Sequence, residues 1–292
     1  MTTFDVLAEG LQFPEGPIAM PDGSVILVEI ARGTLSRVWN GKVEVICHLG
    51  GGPNGAALGP DGAVYVCNNG GGPGAGPLPG QPRIQGGIDR VDLATGKFER
   101  LFDKVGEHLL SAPNDLVFDK HGGFWFTDFG KIERRLRHVS GLYYAAPDGG
   151  PVTEWSFHGT GYNGVGLSPD ETVVYAAETF TGRLIAFDLS APGQIAKGGK
   201  GGRLVGTGPG RAMFDSLAVQ ADGDVCVAAL PDGICTLTPD GVAAMTPLPD
   251  KMTTNICFGG ADMRDAYATL SVTGRLVKMR WPTAGLRLNF AG

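Results

Sequence analysis

Several things are scarce in this sequence, and each shortage narrows what the chain can be. Charged residues make up only 18%, with 24 Lys and Arg against 30 Asp and Glu, a formal charge of −6. A nucleic-acid partner, whose phosphates call for a basic face, is therefore excluded as a main expectation. The five cysteines fall at 47, 67, 226, 235 and 257, an odd number with no C-x-x-C pair and no zinc spacing. They read as packing thiols of a protein from a reducing compartment. No apolar run approaches the roughly 18 residues of a membrane span, and the opening MTTFDVLAEG lacks a basic segment followed by an apolar one. The expectation is a soluble, cytoplasmic protein whose oligomeric state the sequence leaves open. Helical periodicity is missing too: every window with apolar residues at i, i+3, i+4 and i+7 is interrupted by Gly or Pro, and KIERRLRH (131–138) comes nearest but is short. There is no G-x-S-x-G elbow for a serine hydrolase. Gly50, Gly52 and Gly55 match G-x-G-x-x-G only formally, because no helix pattern follows them.

What the chain has in abundance is Gly (48) and Pro (20) alongside 42% hydrophobic residues, the composition of a well-cored protein with many tight turns. Six β-prone runs each follow a turn: Ser24 to Glu29, Ala63 to Cys67, Gly123 to Asp128, Thr172 to Glu178, Asp224 to Ala229 and Ala266 to Leu270. A further apolar-alternating run follows each, opened by Gly33, Gly87, Gly141, Gly182, Gly233 and Gly274. The turns recur at intervals of about 40 to 60 residues, the period of a propeller blade of four antiparallel strands. The expected fold is all-β, one six-bladed propeller domain over residues 1–292 with four-stranded antiparallel blades around a central metal-binding channel. Two Gly/Pro-rich segments, 70–87 and 191–211, stand outside the repeat as long loops, the first bordering the site because it follows Asn68 and Asn69.

The chemistry sits seven residues before each repeat turn. Counting back from Asp22, Asp61, His121, Asp170, Asp222 and Asp262 gives Glu15, Asn54, Asn114, Asn163, Asp215 and Asn255, every one with a side-chain carbonyl or carboxylate. Equivalent positions of a propeller are related by rotation about its axis, so these six oxygens form a ring facing the channel. Two carboxylates confined with four amides call for a cation, and all-oxygen donors select calcium, magnesium or manganese. Calcium is the first choice because amide carbonyls suit its large coordination sphere. Asn-Gly and Asn-Asp are also turn dipeptides, but a turn preference does not account for Glu15 and Asp215 falling at the same offset.

The stretches FPEGP, PNGAALGPDGAVYVC, SAPNDLVFDKHGGFWFTD, YNGVGLSPDETVVYAAET, FDSLAVQADGDVCVA and NICFGG together resemble the senescence marker protein, gluconolactonase and luciferin-regenerating enzyme family of six-bladed propellers, over nearly the whole chain. The resemblance implies a divalent-metal-dependent lactonase acting on a small lactone. It implies a cation held by Glu15, Asn163 and Asp215, with Asn114 as ligand or substrate contact, and zinc joins calcium, manganese and magnesium as a candidate metal. The acid after the second Asn, here Asp115, is a proposed general base in the family's sugar lactonases; the alternative is that Asp115 points between blades into a backbone hydrogen bond and water activated by the metal alone suffices. Asp215 is the second carboxylate, staying on the metal. Asn54, Asn114, Asn255 and Tyr162 are the expected substrate contacts. Ala112 stands where short-chain relatives carry a sugar-binding Arg, and Ser216 where many have Gly. Phe13, Phe129, Tyr162, Phe180, Met213 and Phe214 lie near ligands or strand ends and either form a mouth for a less hydroxylated ring or pack between blades. Two readings compete: an organophosphate triesterase on a related calcium-binding propeller, and a non-catalytic propeller that binds protein partners. The second predicts an axis without carboxylates.

Overall fold

A computed structural model describes residues 2–71 and 82–291 and is built from strands, with no helix among the described residues. Residues 72–81, most of the loop expected at 70–87, lie outside the described residues. Six antiparallel sheets follow one another along the chain, and each begins with the strand that carries one of the six oxygen-bearing residues. These inner strands are Pro14–Ala19, Pro53–Leu58, Pro113–Phe118, Tyr162–Leu167, Met213–Val219 and Thr253–Gly259. Each passes through its hairpin turn into a second strand, and a third and fourth complete blades one to five. In blade six the third strand is Arg275–Arg280, and the fourth place is taken by Asp5–Ala8 from the N-terminal end. That pairing closes the ring of blades by joining its two ends.

The strand sequences follow from where each strand sits. Second strands are covered on both faces by neighbouring blades, so they read as continuous apolar runs such as FWFTD and VYVCN with every residue buried. Outer strands such as Lys42–His48 have one face in water, and their burial alternates unevenly. The core is accordingly divided into six layers, one between each pair of adjacent blades. Between blades two and three Tyr65 meets Phe118 edge-on at 5.0 Å, and Trp125 is wholly enclosed between blades three and four. All five cysteines are buried and unpaired, as their spacing predicts.

Two expectations change. The segment 191–211 is no loop outside the repeat, because Arg203–Thr207 within it is the fourth strand of blade four, and Gln194–Ile195 pairs with the same neighbour. Its burial is mostly partial or absent, so an exposed edge strand wrote no apolar pattern into the sequence. KIERRLRH forms a two-stranded hairpin, Ile132–Glu133 with Leu136–Arg137, turning at Arg134 in the left-handed region.

Candidate metal centre on the propeller axis

Each inner strand is irregular at the position that carries the ring residue. The pairing between first and second strand slips between Glu15 and Ile18, Pro53 and Ala56, Pro113 and Leu116, Tyr162 and Val165, Phe214 and Leu217, and Thr253 and Asn255. A bulge re-aims side chains that a regular pleat would send alternately to the two faces, and bulges are common beside active sites. All six ring residues are buried, as is Asp115.

The E-G and N-G dipeptides owe their glycines to the closeness of the blades rather than to turns. A Cβ on Gly16 (φ 50°) would lie 2.5 Å from Asn54 O of the next blade. On Gly55 it would lie 2.4 Å from Asp115 Oδ1 and 2.5 Å from Asp115 Cα. Blade three has Asp115 at the corresponding place, so its carboxyl fills the space that Gly55 leaves open. Phe13, just upstream of Glu15, is a non-glycine residue at φ 59°, a conformation that only surrounding structure sustains.

The polar groups divide into those satisfied within the protein and those left open. Glu15 Oε2 accepts from Gly16 N at 2.7 Å and from Asn255 Nδ2 at 2.8 Å, while Asn255 Oδ1 accepts from Ile256 N. Asn255 therefore sits in the ring with both ends of its amide engaged, one of them supporting Glu15. Asn163 donates through Nδ2 to Thr179 Oγ1 at 3.2 Å and accepts from Ser216 Oγ at 3.4 Å. Asp115 Oδ1 accepts from Leu116 N at 2.9 Å. By contrast, Oδ1 of Asn54 and Oδ1 of Asn114 are buried and accept no hydrogen bond among the described residues. A buried carbonyl without a donor costs roughly 1–3 kcal/mol, and two of them at one ring indicate a missing electropositive partner.

Electrostatics point the same way. Burial pushes the Glu15 carboxyl up to about 7, against the opposing effect of Asn255, Gly16 and Thr254. Burial, then the nearby Glu15 charge, pushes Asp115 up to about 8. Asp215 is driven well above the usual carboxylate range by burial and then by Glu15 and Asp115. Three acids that cannot all ionise together in the bare protein fit a cation that would let them do so. No group of three or more His, Cys, Asp or Glu side chains is arranged as a metal site among the described residues. The donors at this ring are largely amides, which suit a hard, oxygen-seeking ion and tolerate a wide coordination sphere. The residues thus fit the cation that the sequence implies.

Tyr162 is not brought into the ring. Its buried side chain packs edge-on against Phe187 at 6.1 Å, within the layer between blades three and four. Phe214 is likewise enclosed in an inter-blade layer. Phe129 and Phe180 do meet each other, at 5.4 Å, and Phe180 and Met213 are exposed.

A row of supporting residues escaped the count that found the ring. Glu29, Asn68 and Asp128 stand seven residues after their turns, and Glu178 eight. Each accepts hydrogen bonds from the backbone just upstream of an inner strand: Glu29 from Gln12, Asn68 from Gly52, Asp128 from Ser111 and Ala112, Glu178 from Thr160. These bonds fix the path by which the chain enters the ring. Counting forward as well as back from the turns would have found the first three. Thr127, which accepts from Asp115 N and donates to Asn163 O, has no such signal because threonine is ordinary in a strand.

A cavity of about 430 Å³ lies at the other end of the channel, among Ile18, Met20, Leu58, Phe118 and Phe258. A smaller one of about 130 Å³ reaches from there to Asp115 and Asn255. That end is crossed by the C-terminal segment, with Leu286 N bonded to Val219 O and Asn289 Nδ2 to Phe118 O. The large cavity is walled mainly by apolar groups, and its Lys278 and Asp265 pair with each other at 2.8 Å. Size alone does not make it the reactive site, because the unpaired oxygens and coupled acids are at the ring.

Residues 13–272 match the family described as SMP-30/Gluconolactonase/LRE-like region. The lactonase drp35 of Staphylococcus saprophyticus is 29% identical over 78% of this chain and 67% of its own. A gluconolactonase of Zymomonas mobilis is 25% identical over 61% of this chain, which spans only 52% of that relative. Among solved structures, the calcium-binding protein regucalcin of Agrobacterium tumefaciens superposes with a TM-score of 0.79 at 20% identity, covering 100% of this chain and 98% of that one. This last likeness shows the six-bladed fold.

Proposed function

Since the chain belongs to the SMP-30/gluconolactonase/LRE-like family, we propose that it is a lactonase that opens a small lactone ring with the help of one divalent cation, calcium in the first place, on the propeller axis. The observation that carries the reading is the pair of buried, unpartnered carbonyls of Asn54 and Asn114 beside three carboxylates whose protons burial retains. Glu15, Asn114, Asn163 and Asp215 would hold the cation, and Asn54 joins Asn114 in facing either the ion or a donor on the substrate. When bound, such an ion polarises the lactone carbonyl and makes water a better nucleophile near neutral pH.

The chain's own residues do the rest. Asp115 is the general base: its carboxyl lies on the channel, is held through Oδ1 by Leu116 N, and is not among the four proposed ligands. It takes a proton from the water as the water oxygen bonds to the lactone carbonyl carbon, and returns that proton to the ring oxygen as the ring C–O bond breaks, leaving a hydroxy acid. Asp215 keeps its charge toward the ion. Asn255 holds Glu15 in place, and Tyr162 is left out of the contacts because its ring is enclosed between blades. With the C-terminal segment across one end of the channel, the substrate enters where the inner strands begin.

The lactonase relatives support the reaction class. The test is hydrolysis of a panel of γ- and δ-lactones, with an organophosphate triester run beside it. Chelation should abolish lactone opening, and calcium, manganese, magnesium or zinc should restore it. Full activity after complete metal removal, or hydrolysis of the triester alone, refutes the assignment.

A further inference from the structure

Beside the ring stands the hairpin of residues 131–138, which carries Lys131, Arg134, Arg135, Arg137 and His138 against one acid, Glu133, on a chain of net charge −6. His138 Nδ1 pairs with Ser111 Oγ at 2.7 Å, and Arg137 too has a definite place. The Arg137 guanidinium lies over the face of Phe180, 3.8 Å from the ring centroid, and Phe180 packs against Phe129 at 5.4 Å. Phe129 N bonds Ala112 O, two residues before Asn114, and Phe180 N bonds Thr160 O, three residues before Asn163. A Cβ on Gly161 would come within 3.1 Å of Arg137 Nη2. The guanidinium is therefore set where the strands bearing Asn114 and Asn163 enter the ring, on the side from which the substrate arrives.

Among the described residues none uses its donors. Among the described residues Arg137 makes no ion pair and no hydrogen bond, whereas Arg83 of the same neighbourhood pairs with Glu133 at 3.4 Å. The acid whose charge Arg137 feels most is Glu178, and the Glu178 oxygens are engaged by Thr160 N, Thr160 Oγ1 and Thr181 Oγ1. An arginine stacked on an aromatic face keeps its plane fixed and its N–H edge free, the arrangement that binds a carboxylate or phosphate through two parallel hydrogen bonds.

We propose that Arg137 is the specificity determinant of this mouth, and that the lactone it selects bears an anionic substituent, carboxylate or phosphate, which the guanidinium binds while the ring lies against Phe129 and Phe180. This rests on the lactonase reading above and adds the substrate class to it.

The experiment compares three γ-lactones on the metal-loaded protein: one neutral, one with a carboxylate substituent and one with a phosphate. The wild type should favour an anionic lactone over the neutral one in kcat/KM by roughly 10- to 100-fold, the range of a charge-assisted hydrogen-bonded pair. Arg137→Gln should raise KM for the anionic lactone by that factor, leave its kcat within about 2-fold and leave the neutral lactone unaltered. Arg137→Lys should recover part of the loss, and Arg134→Gln, at the hairpin turn, should keep the preference. Circular dichroism and Tm establish that each variant is folded. A preference confined to one anion supports the inference and names the substituent. Hydrolysis of the neutral lactone with no anionic preference, or equal losses in Arg137→Gln and Arg134→Gln, overturns the inference and leaves the lactonase reading standing. Failure to open any of a wide range of lactones overturns both.

Discussion

Without the proposed cation, this protein's stability should fall with rising pH across a range where most proteins are indifferent to it. Glu15 has an ordinary value of 4.5 and is raised to about 7 by burial, and Asp115 goes from 3.8 to about 8. Each raised acid binds its proton more tightly folded than unfolded. The metal-free fold is therefore unpenalised below about pH 4, loses stability as pH climbs through the interval to about 7–8, and carries the full penalty above it. One pKa unit is about 1.4 kcal/mol, so Glu15 alone corresponds to about 3 kcal/mol between pH 4 and pH 8. Asp115 and Asp215 add to this less than additively, because a proton retained on one acid relieves the others. At roughly 2 °C per kcal/mol for a domain of this size, the chelated protein should lose on the order of 6 °C or more in Tm from pH 5 to pH 8. Surface acids held low by arginine, such as Asp61 and Asp262, act in the opposite sense and only at more acid pH, so they leave this window clear. Calcium should stabilise more at pH 8 than at pH 5, and its binding near pH 6 should release protons. Thermal and urea unfolding of chelated and calcium-loaded protein over pH 5–9 measures this directly. A flat or rising stability of the chelated form, or an equal calcium increment at both ends, would refute the idea that the ring acids are coupled and await a cation.

Asp115→Asn should keep calcium affinity within a few-fold while turnover falls by roughly 10²- to 10⁴-fold, measured by calorimetry beside lactone kinetics; an undiminished rate removes Asp115 as base. Gly55→Ala should cost about 1–3 kcal/mol in urea unfolding and reduce activity, since the added methyl meets the Asp115 main chain, and a neutral effect would show that the blades yield there. Trp125→Ala, emptying the layer between blades three and four, should cost about 3–5 kcal/mol in the same assay with metal stoichiometry unaltered in the protein that remains folded.

The repeat, the number of blades and the spacing of the six oxygen-bearing residues are legible in the amino-acid sequence. All three are written at fixed offsets from hairpin turns, and a rotationally repeated fold converts an offset in sequence into a place on the axis. It missed what depends on neighbours that no offset records. The fourth strand of blade four has no sequence signature because an exposed edge needs no apolar pattern, and residue type alone left Tyr162 open between the mouth and an inter-blade layer, where it packs against Phe187. It took the packing of distant segments to leave Asn54 and Asn114 with open carbonyls and Arg137 on Phe180 with no carboxylate partner among the described residues, while Asn255 is engaged by Glu15. A residue's type says which bonds it can make, but which remain unmade is settled by atoms that distant parts of the chain bring within 3 Å or so, and an active site is made of those unmade bonds.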